Sequence, residues 1–318
     1  MRALIATDAG PQVASRPTPE PAGDEVLVRV AAAGINRADV LQAQGAYPAP
    51  PGWPDDILGL EFSGIVEATG HRVTQLAEGD HVYGIVGGGA HATHVLTIES
   101  LCARVPEGLD LVEAGAVPEV FITAHDALVT QAGLRSGERV LVNGVGSGVG
   151  TAAVQLIKAL GATSVGTSRT REKIERAVGL GLDTGVVAGD AMADEIGEVD
   201  VVLELVGGDY ITTDVQVCRP DGRIMLVGLV AGAEAKADLG AMLRKRITLR
   251  GTTLRGRPDH RKALAVAAFE EQVGPLLAAG TLRPVVDRAL SLDEAATGYE
   301  ALKRNETIGK VVIVPEAA

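Results

Sequence analysis

The sequence predicts an α/β protein in which a mostly β part precedes a doubly wound parallel sheet. Up to about residue 118, short apolar runs are separated by clusters of Gly and Pro, a pattern that is typical of irregular β structure. From about residue 123, apolar runs alternate with helical stretches, which indicates parallel strands joined by right-handed crossovers. Forty glycines, against one Trp, four Tyr and three Phe, favour a core of small and branched side chains with many tight turns.

The first part contains five short runs with the character of strands. They cover residues 3–6, 26–33, 64–67, 81–86 and 93–98. Pro-rich segments at residues 17–23 and 47–54 lie between them. Because Gly and Pro clusters bound strands, we expect these segments to be connections.

The second part contains strands and helices in alternation. We expect strands at residues 140–143, 164–167, 199–206, 223–229 and 247–252, with helices at 149–160, 171–180 and 210–218. Several of these strands are almost continuously apolar, which indicates that both of their faces are covered. After Arg257 we expect a helix that ends at Gly280, a helix that starts at the capping-box pattern of residues 291–294, and a last strand at 310–314.

Charge and composition exclude several classes of partner. The formal net charge of −12 would repel nucleic acid phosphates and anionic lipids, so we expect neither a nucleic acid nor a membrane partner. Two distant cysteines, Cys102 and Cys218, make no disulfide framework, which favours a reducing compartment. No uncharged run approaches the roughly 18 residues of a membrane span. We therefore expect a cytoplasmic protein.

The most informative segment is the glycine-rich turn at residues 144–150, between the strand at 140–143 and the helix at 149–160. Glycines allow backbone N–H groups to approach a phosphate closely, and the start of a helix carries a partial positive charge. The turn therefore predicts a site for the pyrophosphate of a dinucleotide. An ordinary tight turn between a strand and a helix is the alternative, because the spelling G-x-G-x-x-G is absent.

The end of the next strand predicts which dinucleotide binds. A fold specific for NAD places Asp or Glu there to bind the ribose hydroxyls, but no acid ends the strand at 164–167. Arg169, Thr170 and Lys173 instead offer a cation, a hydroxyl and a second cation that suit an adenosine 2′-phosphate. NADPH is therefore the expected cofactor. The alternative is a solvated basic helix start.

Six segments together resemble the medium-chain dehydrogenase/reductase superfamily, in its zinc-independent, zeta-crystallin-like quinone oxidoreductase branch. They lie at residues 33–39, 44–48, 58–64, 116–124, 143–150 and 308–312. The resemblance implies a GroES-like, mostly β catalytic domain at 1–120 and a Rossmann doubly wound parallel-sheet domain that binds NADPH at 121–257. It further implies that residues 258–318 return to the catalytic domain and that the protein is a homodimer. The strand at 247–252 is expected to form an unpaired sheet edge, which favours the same assembly.

The resemblance also implies roles for individual residues. The phosphate turn of the family resembles Gly144, Ser147 and Gly150, with Ser in place of the middle glycine. The resemblance implies that the backbone amides of Gly148 and Val149 also bind the phosphate. Thr170 and Lys173 match positions that reach the 2′-phosphate. The positions along the nicotinamide side are Thr123, Val227, Gly228, Leu229, Asn305 and Lys310.

A metal is not expected. The positions of the catalytic zinc ligands of zinc-containing relatives match Asn36 and Leu60, and Glu61 alone cannot complete a ligand set. His91 and His94, three residues apart in a strand, would point to opposite faces.

Without a metal, the expected reaction is hydride transfer from NADPH to a quinone, with Asn36 and Tyr47 as catalytic donors to the acceptor oxygen. Asn36 could instead cap the following helix, and Tyr47 could simply pack. Three other functions stay open: reduction of another activated alkene such as an enone, an enal or an enoyl thioester, NADPH binding with little catalysis as in a crystallin-like protein, and alcohol dehydrogenation.

Overall fold

A computed structural model describes residues 1–315, so the last three residues of the expected return segment lie outside the described part. The chain divides into two compact units. Unit 1 comprises Met1–Ile122 and Leu254–Ala318, and unit 2 comprises Thr123–Thr253. These divisions lie close to the expected ones after residues 120 and 257.

Strands and helices of the described residues are numbered in chain order. The strands are β1 (Arg2–Ile5), β2 (Gln12–Ser15), β3 (Glu25–Ile35), β4 (Glu61–Thr69), β5 (His81–Ile85), β6 (His94–Ile98), β7 (Cys102–Arg104), β8 (Arg139–Asn143), β9 (Thr163–Ser168), β10 (Thr184–Val187), β11 (Val199–Glu204), β12 (Cys218–Leu226), β13 (Thr248–Gly251), β14 (Val286–Ser291) and β15 (Lys310–Val314). The helices are α1 (Arg37–Ala43), α2 (Leu111–Ala114), α3 (Pro118–His125), α4 (Gly148–Ala159), α5 (Arg171–Gly179), α6 (Met192–Ile196), α7 (Tyr210–Val217), α8 (Leu239–Lys245), α9 (Asp259–Ala278) and α10 (Ala295–Lys303).

Unit 1 is built on one mostly antiparallel sheet. Its strand order is β14-β15-β3-β4-β5-β7, and β6 also pairs with β3. Alternate residues of β3, such as Val26, Val28 and Val30, are buried together with Phe62 and Val82. The strands β14 and β15 come from the end of the chain, so the return segment completes this sheet. All five strands expected in the first part are present, whereas the short strands β2 and β7 were not expected.

Unit 2 is a six-stranded parallel sheet of order β10-β9-β8-β11-β12-β13. Its central strands are fully buried, as their apolar runs indicated, with Val140 and Leu203 both inaccessible to solvent. From β8 the sheet grows in one direction through β9 and β10, and from β11 it grows in the other direction through β12 and β13, so the switch point lies between β8 and β11. Ligands of such sheets bind at the carboxyl edge beside this point. The five expected strands are present, but β10, α6 and α8 were not expected.

Several expected boundaries are wrong. The strand expected at 199–206 ends at Glu204, and the one expected at 223–229 begins already at Cys218. The latter ends at Leu226, because the N–H groups of Val227 and Gly228 turn to the carbonyl of Glu204. The helix expected from the capping-box pattern begins only at Ala295. The Glu294 carboxylate does accept the N–H and the hydroxyl of Ser291, at 3.0 and 2.7 Å, but it closes a turn that precedes the helix.

The strand β13 lies at the edge of the sheet in unit 2, as the sequence predicted. All four of its residues are exposed. Among the described helices, none combines the length and the apolar character needed to cross a bilayer.

Candidate functional site

The glycine-rich turn joins β8 to α4 at the carboxyl edge of the sheet in unit 2. Gly144 follows the strand with φ +82°, a left-handed conformation that favours glycine. Ser147 is the N-cap of α4, and its Oγ accepts the N–H of Gly150 at 3.0 Å. The amides of Gly148 and Val149, at the first two helical positions, have no intrahelical acceptor and stay available for a phosphate oxygen.

Two further glycines of this turn allow close packing. A Cβ on Gly150 would lie 2.5 Å from the carbonyl oxygen of Gly144, so only glycine lets α4 approach the end of β8 this closely. A Cβ on Gly146 would lie 2.7 Å from Cδ of Lys173, so the lysine stem packs across the turn. The structure therefore brings Lys173 together with the predicted phosphate turn.

The other predicted cofactor residues of unit 2 lie mostly after strand ends. Arg169 and Thr170 follow β9 and are exposed, and Thr170 is the N-cap of α5. Because β9 and β8 are parallel neighbours, both residues share the sheet edge that carries the phosphate turn. The residues Val227, Gly228 and Leu229 follow β12 at the same edge, and Leu229 is 52% exposed. Thr123 lies in α3 and is half-buried.

A buried polar cluster below this edge was not predicted. The side-chain nitrogen Nδ2 of Asn143 donates to Oε2 of Glu204 at 2.6 Å and to Oδ1 of Asp214 at 2.8 Å. Thr167 Oγ1 donates to Oδ1 of the same asparagine at 2.7 Å. Burial, and then the neighbouring Glu204, raises the pKa of Asp214 well above its ordinary value. Glu204 interrupts an apolar strand in the sequence, and this interruption is the signal that could have revealed the cluster.

Glu204 also shapes the loop after β11. Its Oε1 accepts the backbone N–H of Val206 and, at 2.7 Å, the N–H of Gly207. The Gly207 and Gly208 residues then turn with φ +75° and +57°. The buried cluster therefore holds both the end of β8 and the loop after β11, the two segments that flank the switch point.

In unit 1, the predicted catalytic Asn36 lies in a second buried network. The neighbouring strands β15, β3 and β4 bring Lys310, Asn36 and Glu61 together. Lys310 Nζ lies 2.6 Å from Glu61 Oε1, 2.6 Å from Asn36 Oδ1 and 2.8 Å from the carbonyl of Ile35. Asn36 Nδ2 donates to Glu61 Oε1 at 2.9 Å and to the Gly34 carbonyl at 3.2 Å. All donors of both side chains are thus engaged inside unit 1.

Asn36 takes part both in the start of α1 and in this buried network. Asn36 does occupy the N-cap position of α1, and its backbone N–H donates to Asp39 Oδ2 at 2.7 Å. Its side-chain amide, however, is held by Glu61, Lys310 and the carbonyl of Gly34. The side chain therefore belongs to the buried network more than to the helix end.

Glu119, in the first turn of α3, adjoins the same network. Its backbone N–H donates to Glu61 Oε2 at 2.8 Å. Burial, and then the carboxylate of Glu61, raises the pKa of Glu119 to about 8. This carboxyl group is thus protonated at neutral pH. Its position was not predicted, because nothing in the local sequence indicates a neighbour 58 residues away.

Tyr47, the second predicted catalytic residue, lies in the Pro-rich connection between α1 and β4. It is partly exposed, and its carbonyl accepts a hydrogen bond from Arg255 Nη1 at 3.0 Å. Among the described residues, no group bonds to its hydroxyl. That hydroxyl is therefore free to donate to a ligand. Asn305, predicted along the nicotinamide side, has φ +55° and accepts from Arg37 at 2.7 Å.

The residues at the zinc positions of zinc-containing relatives do not fit a zinc ion. Leu60 has no donor atom, the amide of Asn36 is engaged, and the Glu61 carboxylate already receives an ammonium and two N–H groups. His91 bonds Tyr299 and the Gly34 carbonyl, whereas His94 pairs with Glu67. In the described part of the chain, no group of three or more His, Cys, Asp or Glu is placed to hold a metal.

Comparison with known proteins agrees with this architecture. Residues 22–132 match the alcohol dehydrogenase GroES-like domain, and residues 148–269 match the zinc-binding dehydrogenase family. The crystal structure of an NAD-dependent alcohol dehydrogenase superposes with a TM-score of 0.86 at 30% identity, covering 99% of this chain and all of the other. The expected fold class, a GroES-like domain with a Rossmann-type parallel-sheet domain, is confirmed.

Two kinds of relative differ in their length. The chain is 29% identical to a quinone oxidoreductase of Lama guanicoe, over 99% of this chain and 97% of that protein. It is 35% identical to one protein of the phenolphthiocerol/phthiocerol polyketide synthase of Mycobacterium tuberculosis, over 92% of this chain. The chain spans only 14% of that synthase protein, and 5% of the polyketide synthase GfsB of Streptomyces halstedii.

Proposed function

We propose that this chain, which belongs to the medium-chain dehydrogenase/reductase superfamily and is of its quinone oxidoreductase type, is an NADPH-dependent quinone reductase. It is an oxidoreductase of that superfamily, and a nicotinamide cofactor fits its fold. The preference for NADPH rests on the carboxyl edge of the sheet in unit 2. There the turn capped by Ser147 follows β8, and the neighbouring strand β9 is followed by basic residues and by no acid.

The choice of NADPH rests on the chemistry of this edge. The free amides of Gly148 and Val149 suit the pyrophosphate, and the exposed Arg169 suits a second anionic group near the ribose. An NAD-specific site would offer a carboxylate to the ribose hydroxyls, and a carboxylate would repel a 2′-phosphate. The proposed partners of the pyrophosphate and the 2′-phosphate are therefore the turn 144–150, Arg169, Thr170 and Lys173.

The bound cofactor would supply the hydride, and the residues of unit 1 would act on the acceptor. Reduction of a quinone consumes one hydride and one proton and yields a hydroquinone. The Tyr47 hydroxyl is the proposed donor to the acceptor oxygen, because it is free and a donor aimed at developing negative charge lowers the barrier. Asn36 is proposed to support that site through the buried network with Glu61 and Lys310, since its own N–H groups are engaged.

This reaction is proposed to proceed without zinc. The donor set around Asn36 and Glu61 does not suit the ion, and a quinone is electron-poor enough to accept a hydride without a Lewis acid. We further propose that the protein acts in the cytoplasm and that it is a homodimer. The dimer is favoured by the exposed edge strand β13, which carries Leu249, 40% exposed, and by the preceding helix α8, where Leu239 and Leu243 are 74% and 80% exposed.

A second candidate is the reduction of an activated alkene, such as an enoyl thioester or an enal. It is favoured by the 35% identity to a polyketide synthase protein, which exceeds the 29% identity to the quinone oxidoreductase. Here the hydride would go to the β-carbon and a proton to the α-carbon. The same residues would bind the cofactor and the carbonyl oxygen.

One substrate panel tests both candidates. Oxidation of NADPH and of NADH is followed at 340 nm with 1,4-benzoquinone, 9,10-phenanthrenequinone and a crotonyl thioester. The proposal expects the highest kcat/KM with NADPH and a quinone. Turnover only of the thioester would favour the second candidate, whereas tight binding of NADPH with no turnover would contradict both.

A further inference from the structure

Arg255 is a buried cation that binds three segments of unit 1. Its side chain is 4% exposed. Nε donates to the carbonyl of Gly87 at 2.9 Å, Nη1 to the carbonyl of Tyr47 at 3.0 Å, and Nη2 to Oε1 of Gln42 at 2.6 Å. The guanidinium carbon also lies 5.0 Å from the centre of the Tyr47 ring, within the range of a cation–π contact.

The stability of the folded protein does not explain why a charged side chain is buried at this position. All three acceptors are neutral, and among the described residues no carboxylate forms an ion pair with Arg255. Removing a cation from water is costly, and an apolar side chain of similar volume often serves a protein core as well or better. The guanidinium instead fixes the relative positions of its acceptors, because its planar set of donors binds several of them at once.

The segment that Arg255 holds is the Pro-rich connection at residues 44–60. Its second aromatic ring, that of Trp53, lies against Gly87, where a Cβ would come within 2.4 Å of the ring. Lys262, which is 1% exposed, places its Nζ 5.3 Å from the centre of the same ring. Two buried cations of the C-terminal stretch of unit 1, Arg255 and Lys262, thus lie against the two aromatic rings of one connection.

We propose that Arg255 is a positioning residue for Tyr47, fixing the ring and the carbonyl of that residue so that its free hydroxyl meets the acceptor oxygen. The guanidinium contacts the backbone and the ring face of Tyr47, which leaves the hydroxyl unengaged. The catalytic half of this inference rests on the proposed function. The structural half, that Arg255 fixes the connection 44–60, does not.

The catalytic half is tested by Arg255→Lys, with Arg261→Lys as the matched control. Lysine keeps the charge but cannot replace the planar donors or stack on the ring. Arg261 is an exposed arginine of the same C-terminal stretch of unit 1. We expect R255K to lower kcat about 10- to 100-fold, with little change in the KM for NADPH, because misplacing a group that contacts the reacting centre costs this much. We expect R261K to leave kcat unchanged.

Repeating R255K in a Y47F background separates positioning from general loss of structure. With the hydroxyl gone, R255K should lower kcat no more than about twofold further. An equal loss in both backgrounds would show that Arg255 acts independently of Tyr47 and would overturn the proposal.

The structural half has a readout that needs no activity. Trp53 is the single tryptophan of the chain and lies in the same connection as Tyr47. We expect R255K to raise the acrylamide quenching of its fluorescence at least about twofold, while R261K leaves the quenching unchanged. Unaltered quenching in R255K would refute this half. If the protein reduces no substrate in the panel but R255K still changes the quenching, the proposed function fails while the structural half stands.

Discussion

The carboxyl groups of Glu204 and Asp214 bind the same amide nitrogen, Nδ2 of Asn143, at 2.6 and 2.8 Å. Both side chains are fully buried, and within residues 1–315 no group hydrogen-bonds to Oδ2 of Asp214. Two adjacent buried carboxyl groups cannot both ionise at low cost, and burial together with the neighbouring Glu204 raises the pKa of Asp214 well above its ordinary value.

The first prediction concerns the pH dependence of stability. Burial raises the pKa of Asp214, so the folded protein binds a proton that the unfolded chain releases above about pH 4. The free energy of unfolding should therefore fall as the pH rises from about 4 toward the raised pKa, by up to about 1.4 kcal/mol per pH unit. Asp214→Asn should flatten this dependence, because the amide needs no proton. Urea unfolding at pH 5, 6, 7 and 8 measures it.

Asp190→Asn is the control, since it makes the same substitution at an exposed position in unit 2. Its pH dependence should match that of the wild-type protein. If D214N and D190N give the same slope, Asp214 does not hold the proton.

The second prediction concerns the 2′-phosphate. Replacing both Arg169 and Lys173 with Ala should raise the KM for NADPH by about 10- to 100-fold, because two charge-assisted contacts are lost at about 1.5 kcal/mol each or less. The KM for NADH should change much less. Initial rates with both cofactors test this, and equal increases would remove the assignment of the phosphate site.

The third prediction concerns the close approach of α4 to β8. Gly150→Ala would place a Cβ 2.5 Å from the Gly144 carbonyl, so the helix must shift and cofactor binding should be lost. Gly179→Ala is the control, because it is also in a helix of unit 2 and, outside its own stretch of helix, no atom of the described residues lies within 4 Å of its added Cβ. G179A should unfold at the wild-type temperature or slightly above it, since Ala favours helix by up to about 1 kcal/mol. Nucleotide titration by fluorescence compares the two variants, and wild-type affinity in G150A would contradict the proposed turn.

The fourth prediction concerns assembly. Leu243, on the helix α8 that precedes the edge strand β13, is 80% exposed, and its replacement by Glu should convert the proposed dimer to a monomer through charge repulsion at the contact. Leu264→Glu, at a site that is 68% exposed on α9 of unit 1, should leave the dimer intact. Light scattering at micromolar concentration measures the molar mass of each variant and so distinguishes a dimer from a monomer. A monomeric wild-type protein would end the proposal.

Apart from β10, α6 and α8, the elements of unit 2 were predictable because each depends on neighbours along the chain. The buried strands β8 and β11 are largely apolar, and α4 follows a turn whose glycines and serine mark its start. The structure gives Ser147 a role that the sequence did not predict. It stands in place of the middle glycine of the proposed phosphate turn, and its Oγ accepts the Gly150 amide, so it caps the helix and leaves the amides of Gly148 and Val149 free.

Local periodicity and residue type are enough to predict the alternation of strands and helices, the position of the glycine-rich turn and the absence of an acid after β9. How the side chains are engaged depends on the three-dimensional fold. It joined Lys310 to Asn36 across 274 residues and Arg255 to Tyr47 across 208, and it placed Asp214 beside Glu204. Hydrogen bonds and burial depend on distance in space, and no periodicity along the chain encodes which residues meet when the return segment completes the first sheet.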